Sequence, residues 1–535
     1  MADQQLGGPL ALSLSVPAAE QNSARGLEIR PKQAKTWIES LPLTKINESA
    51  RQVHEHLAAV NRAKIPAEER VALLEVYRPV LGTLLDELEH VFAYAPLPLT
   101  GRQHEAFELA QGLARECANA YKLFIVEKTG KMLAFGAKKA MPLPMFRAMQ
   151  YVRHVMMQSY KTYYPIPAGT WEELHRLYAW CEENALLAEV PDPESKLSIQ
   201  DLYVEAVLLA LADPYRLMPK EAEKVLEILA QHRGLCVLGA GRPDGVEANR
   251  IFVVTLDSDR APRLLTNAVK DPGGKQLRAL DATAIVARLE QKLAAQGGNR
   301  EALARSRATH DLIDLMQRLT RLWGDPPKRQ FRRNAADSSV ALCAGIKAVA
   351  HFAELALREN PMDEATAIAA GVTLPLLKLP DDPLSKKIGV EEWMVLNQSP
   401  SGLRLHREPG GTVAGSVGEV IGVRFLGATT WNVGVVRWLN MLDNNELEFG
   451  LELIAPIAEP IQIEPTIASN GRSNPALLLP RLLSEGEGEA VLAYPDTFSD
   501  LREFDLRGDR GTDTVRATTL IEKTARFDLF QFTPS

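Results

Sequence analysis

Cysteine is scarce in this 535-residue chain: Cys117, Cys181, Cys236 and Cys343 are its four, far apart and without a CxxC pair. That spacing argues against a zinc site or a disulfide framework and predicts reduced, buried thiols. Long apolar runs are missing as well, with no stretch of about 18 uninterrupted apolar residues, so no membrane-spanning helix is expected. The opening "LGGPLALSLSVPAAEQNSARG" has no cationic start and is broken by Pro, Gly and polar residues. It reads as a tail rather than a signal peptide, and the cytoplasm is the expected compartment. Positive charge is not in excess either. A net charge of -7 and a pI near 5.9 argue against a surface built for a nucleic acid polymer, so any anion site must be local.

Catalytic signatures are also lacking. There is no HExxH and no GxSxG. "GAGRPDG", Gly239 to Gly245, has no amphipathic helix after it and its third glycine is misplaced for a dinucleotide fingerprint, so it reads as a turn. His54 and His56 lie two apart on a helical stretch and face different ways, and "LLDELEH" reads as a solvated helix edge. Neither an enzyme, nor a metal site, nor a cofactor is expected.

What is present is length and periodicity. At 46% hydrophobic, 535 residues should divide into three or four domains. After a tail over residues 1–30, residues 31–233 carry helical spacing: Leu74, Tyr77, Leu81, Leu84, Leu85 and Leu88 recur at threes and fours behind Pro66. "TWEELHRLYAWCEENAL" opens with Thr170 and Glu173 at capping-box spacing. A bundle or short array of helices is predicted, with no fixed repeat that would mark a solenoid. Residues 234–325 read as a small mixed segment, two strands and a helix, followed by a connecting helix that Pro326 and Pro327 must end. Strand signals then dominate over 326–460, interrupted by a helical insert at about 347–390. Residues 461–535 look like further strands, either a second small barrel or an extension of the first.

Two short motifs carry chemistry. "KRQFRR" places Arg329 and Arg333 in an RxxxR, with Lys328 and Arg332 beside them, on a segment between the Pro-Pro break and a strand. Guanidinium groups suit phosphates through bidentate charge-assisted bonds, and they can bond the O6 and N7 edge of guanine. Taken alone, such a stretch is more often a solvated basic linker. "LNQSPSGLRLH" gives an NxSxxG in Asn397, Ser399 and Gly402, where amide and hydroxyl can meet a polar ligand edge and glycine permits close approach. Its plain alternative is an Asx or Ser turn in a hairpin.

Together, and followed by the strand-like runs "GEVIGVRFL", "WNVGVVRWLNML" and "LEFGLELI", these motifs resemble the PilZ domain, a small β-barrel. The resemblance covers residues 328–460. It implies binding of cyclic di-GMP through Arg329, Arg333, Asn397, Ser399 and Gly402, with Lys328, Arg332 and Arg404 as possible auxiliaries. One departure is the 63 residues between Arg333 and Asn397, longer than the family's compact pattern. The expected fold class is multidomain α+β, an N-terminal helical array joined to an antiparallel barrel. The expected function is that of a cyclic di-GMP receptor that relays binding to a protein partner through the helical region, with motility, surface attachment or exopolysaccharide as output. The alternative is a helical scaffold whose barrel no longer binds ligand. Ligand binding is expected to tie the arginine segment to the barrel and so reorient the two halves.

Overall fold

The computed structural model describes residues 12–20, 26, 29–130, 137–241, 250–265, 276–297, 307–326, 334–359, 383–411, 415–428, 430–442, 445–466, 473–483, 488–509 and 511–535. The helical half comprises α1 (Pro31–Glu39), α2 (Ile46–Arg62), α3 (Ala67–Phe92), α4 (Gly101–Gly130), α5 (Ala137–Ala140), α6 (Pro142–Thr162), α7 (Thr170–Glu183), α8 (Ile199–Leu211) and α9 (Glu221–Gln231). The periodic leucines of α3 are buried against α4, and α4 packs in turn on α6. Burial of one stripe per helix supplies most of the stability of such an array. Pro66 caps α3 from just outside rather than filling its first turn.

The N-terminus of α7 differs from the sequence expectation. Thr170 is the first helical residue, Gly169 occupies the cap, and no side chain of the helix itself caps it. Asp259 does so from a distant turn, its carboxylate accepting from the backbone N–H of Gly169 at 2.6 Å, Trp171 at 3.1 Å and Glu172 at 3.2 Å. A carboxylate satisfies the orphan amides and meets the positive end of the helix dipole. The capping box that does form is on α8, where Ser198 and Asp201 bond reciprocally.

Strands β1 (Val237–Gly239), β2 (Ile251–Thr255), β3 (Arg263–Leu264) and β4 (Leu277–Asp281) make a four-stranded antiparallel sheet in the order β1-β4-β2-β3. Helices Thr283–Gly297 and Arg307–Gly324 follow, and the indole N–H of Trp323 anchors the second to the carbonyl of Leu208 at 3.1 Å. The "DPGG" stretch at 271–274, whose Pro and Gly signal a turn, lies outside the described residues.

Two closed six-stranded barrels fill the C-terminal half. The first is built from β5 (Asn334–Ala344), β6 (Glu391–Ser399), β7 (Gly402–Arg407), β8 (Val420–Phe425), β9 (Asn432–Met441) and β10 (Leu447–Ala455). Its ring runs β5-β6-β7-β10-β9-β8. Alternate residues such as Trp393, Val395, Leu405 and Phe449 fill the interior, as the two-residue period of a strand requires. The expected insert is present as a crossover helix, Ile346–Glu359, between β5 and β6. The second barrel comprises β11 (Glu459–Pro465), β12 (Asn474–Leu479), β13 (Ala490–Ala493), β14 (Glu503–Gly508), β15 (Gly511–Lys523) and β16 (Asp528–Pro534). Of the two sequence alternatives, a second barrel is the one that forms. All four cysteines are free and buried.

The helical half sits directly on the first barrel. The backbone N–H of Met441 donates to the carbonyl of Tyr163 at 2.9 Å, and the Tyr164 hydroxyl bonds Asn445 at 2.8 Å. Their apolar residues merge into one continuous core. The two halves are therefore packed together on the barrel, not merely strung on the segment before β5.

Candidate ligand site

The NxSxxG lies where β6 turns into β7. Asn397 and Ser399 end β6, Gly402 begins β7, and Ser399 pairs with Gly402 across a two-residue turn. The Ser399 hydroxyl donates to the carbonyl of Gly402 at 3.3 Å, which fixes its position at the hairpin mouth. A Cβ on Gly402 would stand 3.1 Å from the carbonyl oxygen of Leu451, so glycine is what lets β7 and β10 close at this point.

Asn397 is turned by a register shift between Val395 and Asn397. Such a bulge re-aims side chains next to functional surfaces. Its side-chain oxygen is buried and has no hydrogen-bond partner among the described residues. A buried carbonyl left without a donor is costly and calls for an explanation.

Register places five residues in one row across the outer face: Ala335 on β5, Asn397, Arg404 on β7, Gly450 on β10 and Trp438 on β9. Arg404 bonds Glu448 at 2.6 Å and remains 38% exposed at its side chain, enough to turn toward a ligand. His406 lies 3.8 Å from Glu448 and 3.7 Å from Glu446 on the same face. A Cβ on Gly450 would fall 1.8 Å from the indole nitrogen of Trp438, so the indole lies across the gap that this glycine leaves. The row is thus a shallow floor with an arginine in the middle and an aromatic plate at one side. Arg407 points away from it. Burial lowers its pKa against the raising effect of Glu391 at 3.3 Å, and its guanidinium stacks over Trp393 at 5.1 Å.

Lys328, Arg329, Arg332 and Arg333 lie outside the described residues. Their neighbour does not. Asn334, next in the chain after Arg333, pairs with Gln398, and Ala335 pairs with Asn397. The 63 residues between Arg333 and Asn397 include β5 and most of β6, and their pairing sets the strand that follows the RxxxR next to the strand that carries the NxSxxG. Sequence reasoning missed Gly450 and Trp438. The isolated glycine in "LEFGLEL" was a signal of close approach, but nothing local named its partner.

The fold and this face define a PilZ-type barrel joined to a helical domain. The chain matches the family models "Cyclic-di-GMP receptor FimW, N-terminal domain" over residues 32–244 and "Cyclic-di-GMP receptor FimW, middle PilZ domain" over 251–359 and 382–460. It belongs to this PilZ-domain family. It is 25% identical over 533 residues to the cyclic-di-GMP receptor FimW of Pseudomonas aeruginosa, covering 90% of this chain and 86% of that protein. No solved structure matches it significantly. The middle-domain match takes in β2, β3 and β4 of the four-stranded sheet as well as the first barrel, while β1 falls in the N-terminal match; it omits residues 360–381 of the insert and ends as the second barrel begins. Among the described residues no helix is long and apolar enough to cross a membrane, and no group of three or more His, Cys, Asp or Glu could hold a metal ion.

Proposed function

We propose that this chain is a bacterial receptor for cyclic di-GMP, a binding protein rather than an enzyme, and that the outer face of β6, β7 and β10 is its ligand face. The observation that carries this reading is the convergence at one hairpin of an unpartnered buried amide, a packed-down glycine and the strand that follows the RxxxR. Arg329 and Arg333 grip phosphates and guanine O6/N7 edges, with Lys328 and Arg332 adding charge. Asn397 and Ser399 receive a base edge that Gly402 lets approach. Arg404 exchanges Glu448 for the ligand, and Trp438 offers a stacking plate. The FimW relative carries the same ligand in its name, and the family model that matches this barrel does too.

The ligand ties residues 327–333 to a barrel already docked on the helical half, so the change falls on the surface between helix Arg307–Gly324 and β5. A cytoplasmic protein partner reads that surface together with the helical domain, with motility, attachment or exopolysaccharide as output. As domains, we propose the helical region over 31–233, the mixed segment over 234–325, the ligand barrel over 326–460 and a separate C-terminal unit over 461–535. Calorimetric titration tests the reading. Cyclic di-GMP should bind at micromolar affinity or better, about -8 kcal/mol, and in preference to GMP, GTP and cyclic AMP. No heat at hundred-micromolar ligand would end it.

A further inference from the structure

The two barrels wind their strands in the same order. Numbered one to six along the chain, the strands of each ring run one, two, three, six, five, four and close on one, with every neighbour antiparallel. Each ring also places two register shifts in the pair made by its fifth and sixth strands.

Their hairpins align the two residue for residue. In each, the last residue of strand two pairs with the first of strand three: Ser399 with Gly402, and Leu479 with Ala490. The ladder then continues in step, Asn397–Arg404–Gly450 in the first barrel and Leu477–Leu492–Leu529 in the second. One strand back, Arg333 precedes Asn334, which pairs with Gln398, while Ala458 precedes Glu459, which pairs with Leu478. The places of Arg333, Asn397, Ser399 and Gly402 are thus held by Ala458, Leu477, Leu479 and Ala490.

All four replacements are apolar and buried, and they lie in one cluster with Phe352 and Trp431. What covers them is the crossover helix Ile346–Glu359, which packs on β11 and β12 as well as on β5 and β8 of its own barrel. Phe352 of that helix stacks on Trp431 with ring centroids 5.4 Å apart. The covered leucines are not the second barrel's own interior, which is a distinct cluster around Phe504, Leu506, Val515 and Phe530.

We infer that the C-terminal barrel is a second copy of the PilZ-type barrel in which the face equivalent to the ligand face has become an apolar socket for the crossover helix. A socket without guanidinium, amide or hydroxyl groups at those positions has nothing to exchange for the hydration of two phosphates. The chain therefore has one dinucleotide face and one face held by protein. What the first face binds rests on the proposed function, whereas the socket does not. The crossover helix begins two residues after β5 ends, and β5 begins one residue after Arg333, so ligand face and socket hold opposite ends of one strand.

Hydrogen exchange on the ligand-free full chain tests the socket. Leu477→Asp should speed exchange in residues 346–359 by about tenfold or more while β14 and β15 keep their protection. An unchanged helix, or loss of protection in β14 and β15 together with it, would overturn the inference. Should that variant not fold, Phe352→Ala alters the helix alone and is read by the same criterion. A second arm titrates cyclic di-GMP into the Arg329→Ala/Arg333→Ala double variant. No binding should remain, and residual binding mapped by exchange to the C-terminal barrel would equally overturn the inference. A wild-type chain that binds no cyclic di-GMP would defeat the proposed function, with the exchange arm still deciding the socket.

Discussion

Replacing Asn397 with alanine should separate stability from binding. The Asn397 side-chain oxygen is buried without a partner among the described residues, while its backbone is held in register by Ala335 and Arg404. An unsatisfied buried polar group costs about 1–3 kcal/mol, and alanine removes that cost. Against this stands the poorer fit of alanine in a strand, at most about 1 kcal/mol. The ligand-free variant should therefore be unchanged or more stable by up to about 2 kcal/mol, read from urea unfolding at constant slope. The same change leaves a base-edge donor of the ligand without its acceptor in a desolvated site, about 1–3 kcal/mol, so the dissociation constant should rise roughly five- to a hundredfold. A variant destabilised by more than about 1 kcal/mol that still binds normally would refute the reasoning, because Asn397 would then be a structural residue.

Arg329→Ala and Arg333→Ala should each cost a few kcal/mol of cyclic di-GMP binding in calorimetry and leave the unfolding midpoint nearly unchanged, and unfolding with normal binding by the folded remainder would make both arginines structural. Gly450→Ala forces the Trp438 indole aside, because its Cβ would fall 1.8 Å from the indole nitrogen. Tryptophan emission should shift and affinity should drop about tenfold, and full affinity with shifted emission would remove Trp438 from the site. His175 is buried between the Tyr203 hydroxyl at 2.7 Å and the Arg260 carbonyl at 2.9 Å, and burial lowers its pKa from 6.5 to about 4. The unfolded ring takes up a proton near 6.5 while the folded ring stays neutral down to about 4. The folded state accordingly loses about 3 kcal/mol as pH falls through that window, and an equally steep decline in His175→Gln would contradict this assignment.

The helical and strand halves were legible because their signals are local. The leucines of α3 repeat within one helix, and the alternation in β6 and β7 needs only the next residue but one. The NxSxxG was legible for the same reason, since Asn397, Ser399 and Gly402 fall within six residues. Everything that depends on pairing between distant segments was not. Thr170 carried the right cap spacing, yet Asp259 fills the place, because a carboxylate delivered by another loop can satisfy three backbone amides at once. The stretch of 63 residues departed from the family's compact pattern, but the register of β5 with β6 sets Ala335 beside Asn397 all the same. Trp438 lies on the candidate face only because Gly450 is its partner across the ladder. The kinship of the two barrels shows in strand order and register, while the residues at the corresponding positions changed from polar to apolar. A sequence states which side chains a strand offers to each face, and only closure of the sheets decides whether that face meets water, a ligand or a helix.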